Sequence, residues 1–206
     1  MSTRPLTPRK APSQERSRQT VEAILDAAAH VFEQQGYAAG TTNRIAERAG
    51  VSIGSLYQYY PNKDAVLVAL TERHIEEGIA VVAPLLARLE VTTPLDEALR
   101  DLTAAMVTLH RRRPALHRVL VEEAPRPAQL RARFDALFEA ASRAVAEYLR
   151  SCPDVRVRDP DLAARMVVQI VESITHSLVI HPAAGAGIDS LVAETVLLLR
   201  RYLSGR

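Results

Sequence analysis

The residue types able to do chemistry crowd into one short segment, VSIGSLYQYYPNK, residues 51–63. Ser55, Tyr57, Gln58, Tyr59 and Lys63 supply hydroxyl, amide and ammonium groups there, and no carboxylate interrupts them. Covalent catalysis needs a nucleophile held against a base, and no recognisable Ser/His/Asp set supplies one here. Its groups suit phosphate oxygens and base edges instead, since a glutamine amide can meet adenine bidentately. Asn62 is placed to cap a following helix. That puts Lys63 in the first turn beside free backbone N–H groups, a natural phosphate anchor. The plain alternative is a solvated polar face with an ordinary helix cap.

Elsewhere the sequence excludes most catalytic classes. It has no recognisable Ser/His/Asp set and no glycine-rich phosphate loop, so the chain reads as no enzyme and as needing no cofactor. Cys152 is the one cysteine, which excludes an intrachain disulfide and a cysteine-rich metal site. His110 and His117 have Pro114 between them and no cysteine in support, so no metal site is expected.

The elements that must position the polar segment are legible around it. Thr41 or Thr42 can cap a helix, Ile45 faces inward, and Ala46 is small enough for two helices to cross closely. Gly50 follows the last turn, where a left-handed residue costs little, and Val51 plugs the turn. Ser52 caps the next helix. The pattern is helix, tight turn with glycine, helix: a helix-turn-helix. On a wheel of roughly 100° per residue, Leu56 and Tyr60 share the inner side with Ile53 near them. Gly54, Ser55, Tyr57, Gln58 and Tyr59 cover the outer arc, and Gly54 leaves room for a backbone to approach.

Around this motif the chain is helical throughout. Its 206 residues are 48% hydrophobic, ample for a packed core. Ala, Leu, Arg and Glu dominate, and no convincing alternating strand is present. The spacing predicts an all-α fold of about nine helices, with Gly36 stopping the first and Gly78 and Pro84 bending or ending the long one after Lys63. The net charge of +2 decides little, but residues 1–20 set Arg4, Arg9, Lys10, Arg16 and Arg18 against Glu15 alone. Such an arm either follows a polyanion or is simply solvated. The N-terminus has no apolar stretch of a secretory signal, and the run IAVVAPLLA (79–87) is too short to span a bilayer. A cytoplasmic setting with no membrane partner is expected.

From about Arg18 to Leu70, including ILDAAAHVFEQQGYAAGTTNRIAERAGVSIGSLYQYYPNKDAVLVAL, the chain resembles the DNA-binding domain of the tetracycline-repressor (TetR) family of bacterial transcriptional regulators. The resemblance implies an all-α homodimer with a three-helix head and a divergent body that binds a small effector. Residues 1–15, with three prolines among charges, read as a flexible arm, and the resemblance implies a DNA-binding domain at 16–65 and an effector-binding and dimerisation domain at 66–206. Carried over by position, it implies backbone contacts from Thr42, Tyr57 and Lys63. Base-side contacts would come from Asn43, Ile53, Gly54, Ser55, Gln58 and, at the edge, Tyr59. Ile53 departs from the family's usual polar or basic residue, and either meets a thymine methyl or packs. Tyr60 stands where the family has a core aromatic.

Beyond Leu70 the resemblance is architectural. The segments 161–180 and 188–203 are apolar on more than one face, so each has more than one surface to bury. They fit the family's four-helix dimer interface; burial within one subunit is the alternative. Met106, His110, Phe138, Met166 and His176 are candidates to line an effector pocket, though such residues at helical spacing also make ordinary core. The reading is a ligand-responsive repressor on a palindromic operator. A helical small-molecule-binding or interaction protein without DNA regulation is the alternative.

Overall fold

The structure is a computed structural model, which describes residues 6, 15–90, 92–181 and 187–205. Most of the basic arm and of the Gly/Ala loop at 183–187 therefore lies outside the described residues. All regular structure among those described is helical. The helices are α1 (Glu15–Ala39), α2 (Thr42–Ala49), α3 (Ile53–Tyr59), α4 (Lys63–Leu86), α5 (Leu95–Arg111), α6 (Pro114–Arg118), α7 (Ala128–Ser151), α8 (Pro160–Ile180) and α9 (Ile188–Ser204). A π-helical turn, Val119–Glu123, follows α6.

The chain divides into two compact units, and the division differs from the expected boundary at 65. One unit comprises residues 1–76 together with 113–131; the other comprises 77–112 and 132–206. The return of 113–131 to the first unit has a packing cause. Leu116, Val119 and Leu120 are buried in the same apolar cluster as Ile24, Phe32 and Leu67. Arg113 adds an ion pair to Glu33 of α1 at 2.6 Å. The π-helical turn also reaches α1, where Glu123 accepts the Tyr37 backbone N–H at 3.1 Å.

Within the first unit, α1 supplies one wall of the core through Ile24, Ala28 and Phe32, each fully buried. Gly36 leaves helical geometry at φ 69°, so the helix breaks there and one further turn follows. Gly40 is required for another reason. A Cβ on it would lie 2.6 Å from the Phe32 ring, so only glycine lets the chain turn against that ring. His74 of α4 and His117 of α6 share a hydrogen bond of 2.9 Å, Nε2 to Nδ1.

The second unit is built on α5, which packs against both α8 and α9. Leu99, Val145, Leu149, Val167, Leu199 and Leu203 form its centre. Pro160 opens α8 at a position where its missing N–H costs nothing, and Asp159 accepts from the N–H groups of Asp161 and Leu162, both at 3.0 Å. Of the two expected outcomes, bending or ending, Gly78 and Pro84 do not end α4; the helix runs on to Leu86. Gly78 instead marks a close approach, since a Cβ there would lie 3.3 Å from a Leu109 methyl.

The helix α8 is long and apolar enough to cross a bilayer by length and composition alone. Its placement gives a different account of that character. Ala163, Ala164, Val167 and Val171 are buried in the core, while Leu162 and Met166 on another face stay open. A helix apolar on two faces has two protein surfaces to bury.

Candidate nucleic-acid interface

The reading element is built from two short helices whose ends are all capped. Thr41 accepts the Arg44 N–H at 3.3 Å to start α2. Gly50 ends it in the left-handed region, φ 67°, while the Val51 N–H returns to the Ala46 carbonyl at 3.0 Å. Ser52 then accepts the Ser55 N–H at 3.0 Å and starts α3. A helix of seven residues has little stability of its own, so its inner face must hold it. Leu56 does this, fully buried against Ile45 and Phe32 in one cluster. Truncating such a leucine to alanine typically costs about 2–5 kcal/mol.

The outward face carries Gly54, Ser55, Tyr57 and Gln58 as the wheel placed them, together with Ile53, which the wheel set near the inner side. Ile53 and Tyr57 are 38% and 39% exposed, large residues left in solvent by the fold. Gly54, Gln58 and Asn43 are exposed beside them, and Ser55 is half-buried. A Cβ on Gly54 would meet nothing nearer than the Ser52 hydroxyl at 3.8 Å, so the fold itself does not require glycine there. Thr42 and Tyr57 exchange a hydrogen bond of 3.1 Å between their hydroxyls, which ties α2 to α3 on the outer side.

Tyr59, expected at the edge of the arc, is instead buried at 7% exposure. Three residues from Leu56, it lies only about 60° round the helix from it and turns inward with Tyr60. Tyr60 is buried at 2%, as its core role required, and burial pushes its phenol up to about 12, with the nearby Glu22 carboxylate adding to the rise.

Asn62 caps α4 as expected, its Oδ1 accepting the Ala65 N–H at 2.9 Å. Lys63 takes a course the sequence did not suggest. Its ammonium lies 4.1 Å from the centre of the Tyr37 ring and donates to the Tyr37 and Ala38 carbonyls at 2.8 and 3.2 Å. The Tyr37 hydroxyl in turn donates to Asp64, the next residue of α4. Tyr37 is thus a hub that sequence reasoning missed. The available signal was its place beside the helix-breaking Gly36, opposite an acid and a base at the start of α4.

The five effector candidates divide. His110 is buried, and the His176 ring stands edge-on to it with centroids 5.8 Å apart. Glu172 completes this group, its Oε2 3.8 Å from His110 Nε2. Desolvation raises the Glu172 carboxyl above its ordinary range, although 47% of its side-chain surface is open. Met106 packs against the second unit's core, and Phe138 is half-buried. Met166 does not face the interior: it is 38% exposed, and the Tyr202 hydroxyl donates to its sulfur at 3.3 Å. The reason is its spacing of four from Leu162, itself 54% exposed, on the open face of α8. None of the five lines the two neighbouring recesses around Leu86, Leu99 and Tyr148.

Comparison with known proteins agrees with this architecture. The family described as bacterial regulatory proteins, tetR family, matches residues 24–70, and the tetracyclin repressor-like C-terminal domain matches residues 94–203. The nucleoid occlusion factor SlmA of Haemophilus ducreyi is 32% identical over 110 residues, 53% of this chain and 52% of that protein. The transcriptional repressor KstR of Mycolicibacterium smegmatis is 39% identical over 62 residues, 30% of each chain. The chain spans about half or less of the length of these curated relatives. Among solved structures, FadR of Bacillus subtilis in complex with stearoyl-CoA superposes with a TM-score of 0.63 at 21% identity, over 90% of this chain and 98% of that one. With one family description covering the head and the other more than half of the chain, the protein belongs to the tetracycline-repressor family of bacterial regulatory proteins.

Proposed function

We propose that the protein is a cytoplasmic, homodimeric transcriptional repressor that binds a palindromic operator and is released by a small molecule. The outer face of α3 carries the reading: Gly54, Tyr57 and Gln58 stand in solvent, free of carboxylates, on a helix pinned from behind by Leu56. Gln58, Ser55 and Asn43 would contact base edges, with Gly54 admitting the backbone and Ile53 meeting a thymine methyl. Thr42 and Tyr57 would bond one phosphate from their linked hydroxyls, and Lys63 would offer a further donor to the backbone.

Dimerisation is supported by an apolar strip left open on α8 and α9. Leu162 and Met166 lie one turn apart on α8, Leu198 and Tyr202 one turn apart on α9, and Tyr202 touches Met166 across them. A second copy of the same strip would cover it, giving two heads for half-sites about 34–36 Å apart. An effector that changes this spacing by a few ångströms would break register.

Selection of bound duplexes from random DNA tests the proposal directly. Enrichment of a two-fold symmetric sequence, bound with an affinity that falls steeply with salt, is expected. Recovery of no sequence preference would overturn it.

A further inference from the structure

The second unit contains a recess of about 220 Å³ among residues of α4, α5, α7 and α8. Its walls are apolar, with Leu86, Leu99, Leu102, Val145, Leu149 and Val167 facing it. A second, more open recess of about 660 Å³ adjoins it through the shared Leu86, Leu89 and Tyr148. Tyr148 is held in place by donating its hydroxyl to the Thr93 carbonyl at 2.9 Å. At about 30 Å³ per water-sized group, the inner recess holds roughly seven non-hydrogen atoms, the body of a small apolar molecule.

The rims of this double recess are strongly one-sided in charge. Glu97 and Asp101 border the inner part, and Glu90 and Glu147 border the outer part. Arg88 is the single cation among the lining residues, and its Nε is engaged with the Pro84 carbonyl at 3.1 Å. A concave surface with apolar walls and one sign of charge focuses its field on whatever enters. A carboxylate or a phosphate at this mouth meets four carboxylates against one guanidinium, whereas an ammonium group is drawn to the excess of acids. The apolar walls select the body of the ligand, and the rim selects its head.

We propose that this double recess is the effector site and that it takes an amphipathic cation, a short apolar chain or ring bearing a protonated amine. The inference rests on the reading of the protein as an effector-released regulator, and it excludes free fatty acids and acyl-CoA thioesters as the preferred ligands.

Calorimetric titration of the full chain with n-octylamine, octanol, octanoate and octanoyl-CoA tests it at neutral pH and low salt. Octylammonium should bind at least tenfold more tightly than octanoate. The exposed double substitution Glu97→Lys with Asp101→Lys should reverse that order, and Leu102→Trp should abolish binding by filling the recess. Thermal unfolding of each variant checks that it is folded, and the surface charge reversal decides the matter should the tryptophan variant fail that check. Octanoate or octanoyl-CoA binding more tightly than the amine would overturn the proposal. So would an order unchanged by the charge reversal, or an amine that binds but leaves a selected duplex bound. If no duplex is selected at all, the regulator reading fails by itself, and the titration still decides which ligand the recess prefers.

Discussion

Lys63 clamps Tyr37. Its ammonium sits over the Tyr37 ring at 4.1 Å and donates to the Tyr37 carbonyl at 2.8 Å and the Ala38 carbonyl at 3.2 Å. The carbonyls at the end of a helix carry partial negative charge, so a cation there is favourable. The clamp fixes the first turn of α4 against the end of α1, immediately after the reading helix.

Substituting Lys63→Gln therefore has two separable effects. Loss of the clamp is expected to lower stability by about 1–2 kcal/mol, read as a shift in the urea midpoint. An ammonium has three donors, and one directed at a phosphate would make the slope of log affinity against log salt fall by about 1. An unchanged midpoint would remove the structural role, and an unchanged slope would remove the phosphate contact.

Tyr57 and Gln58 are adjacent on the exposed face but should fail differently. Removing the Tyr57 hydroxyl, which Thr42 orients at 3.1 Å, should weaken every duplex alike by about 1–2 kcal/mol, with base preference unchanged. Gln58→Ala should cost about 1–3 kcal/mol on the preferred duplex and relax preference at one base pair. Binding measured on a panel of single-base variants separates the two. A uniform loss for Gln58→Ala would remove it from base reading.

Tyr60 predicts an alkaline weakness. Its phenol is pushed from 10.0 up to about 12 by burial, so between those values the unfolded chain ionises while the folded one stays neutral. Above pH 10 the folded state binds the extra proton, and stability falls as pH rises, levelling off above about 12. A shift of that size corresponds to about 3 kcal/mol. Tyr60→Phe should flatten that part of the stability profile between pH 10 and 12, measured by denaturation against the parent protein. An identical slope in both proteins would contradict the assignment.

Leu198 is 53% exposed within one subunit, so Leu198→Glu should leave the subunit fold intact. Placed in a dimer interface, the same carboxylate would be buried without a partner. A rise of at least tenfold in the dimer dissociation constant by sedimentation is expected, with unchanged helicity. A dimer of undiminished affinity would place the interface elsewhere.

Much of the reading element was legible because its determinants are local. Caps at Thr41, Ser52 and Asn62, the left-handed turn at Gly50 and the absence of acids from the outer arc each depend on a few consecutive residues.

What the sequence could not determine was which of two neighbours a side chain would choose. Tyr59 lies near enough to the boundary of the helical wheel to face either way, and the pocket of buried residues around Leu56 drew it inward. Lys63 could extend to solvent or fold back, and Tyr37, 26 positions earlier, decided it. Residues 113–131 read as part of the body until Leu116, Val119 and Leu120 were found in the core of the head. The rim of carboxylates around the Leu99 recess likewise gathers residues from the segment after α4, from α5 and from α7, which no short window contains. Local chemistry determined the motif; burial of apolar surface between distant segments decided where its polar groups point.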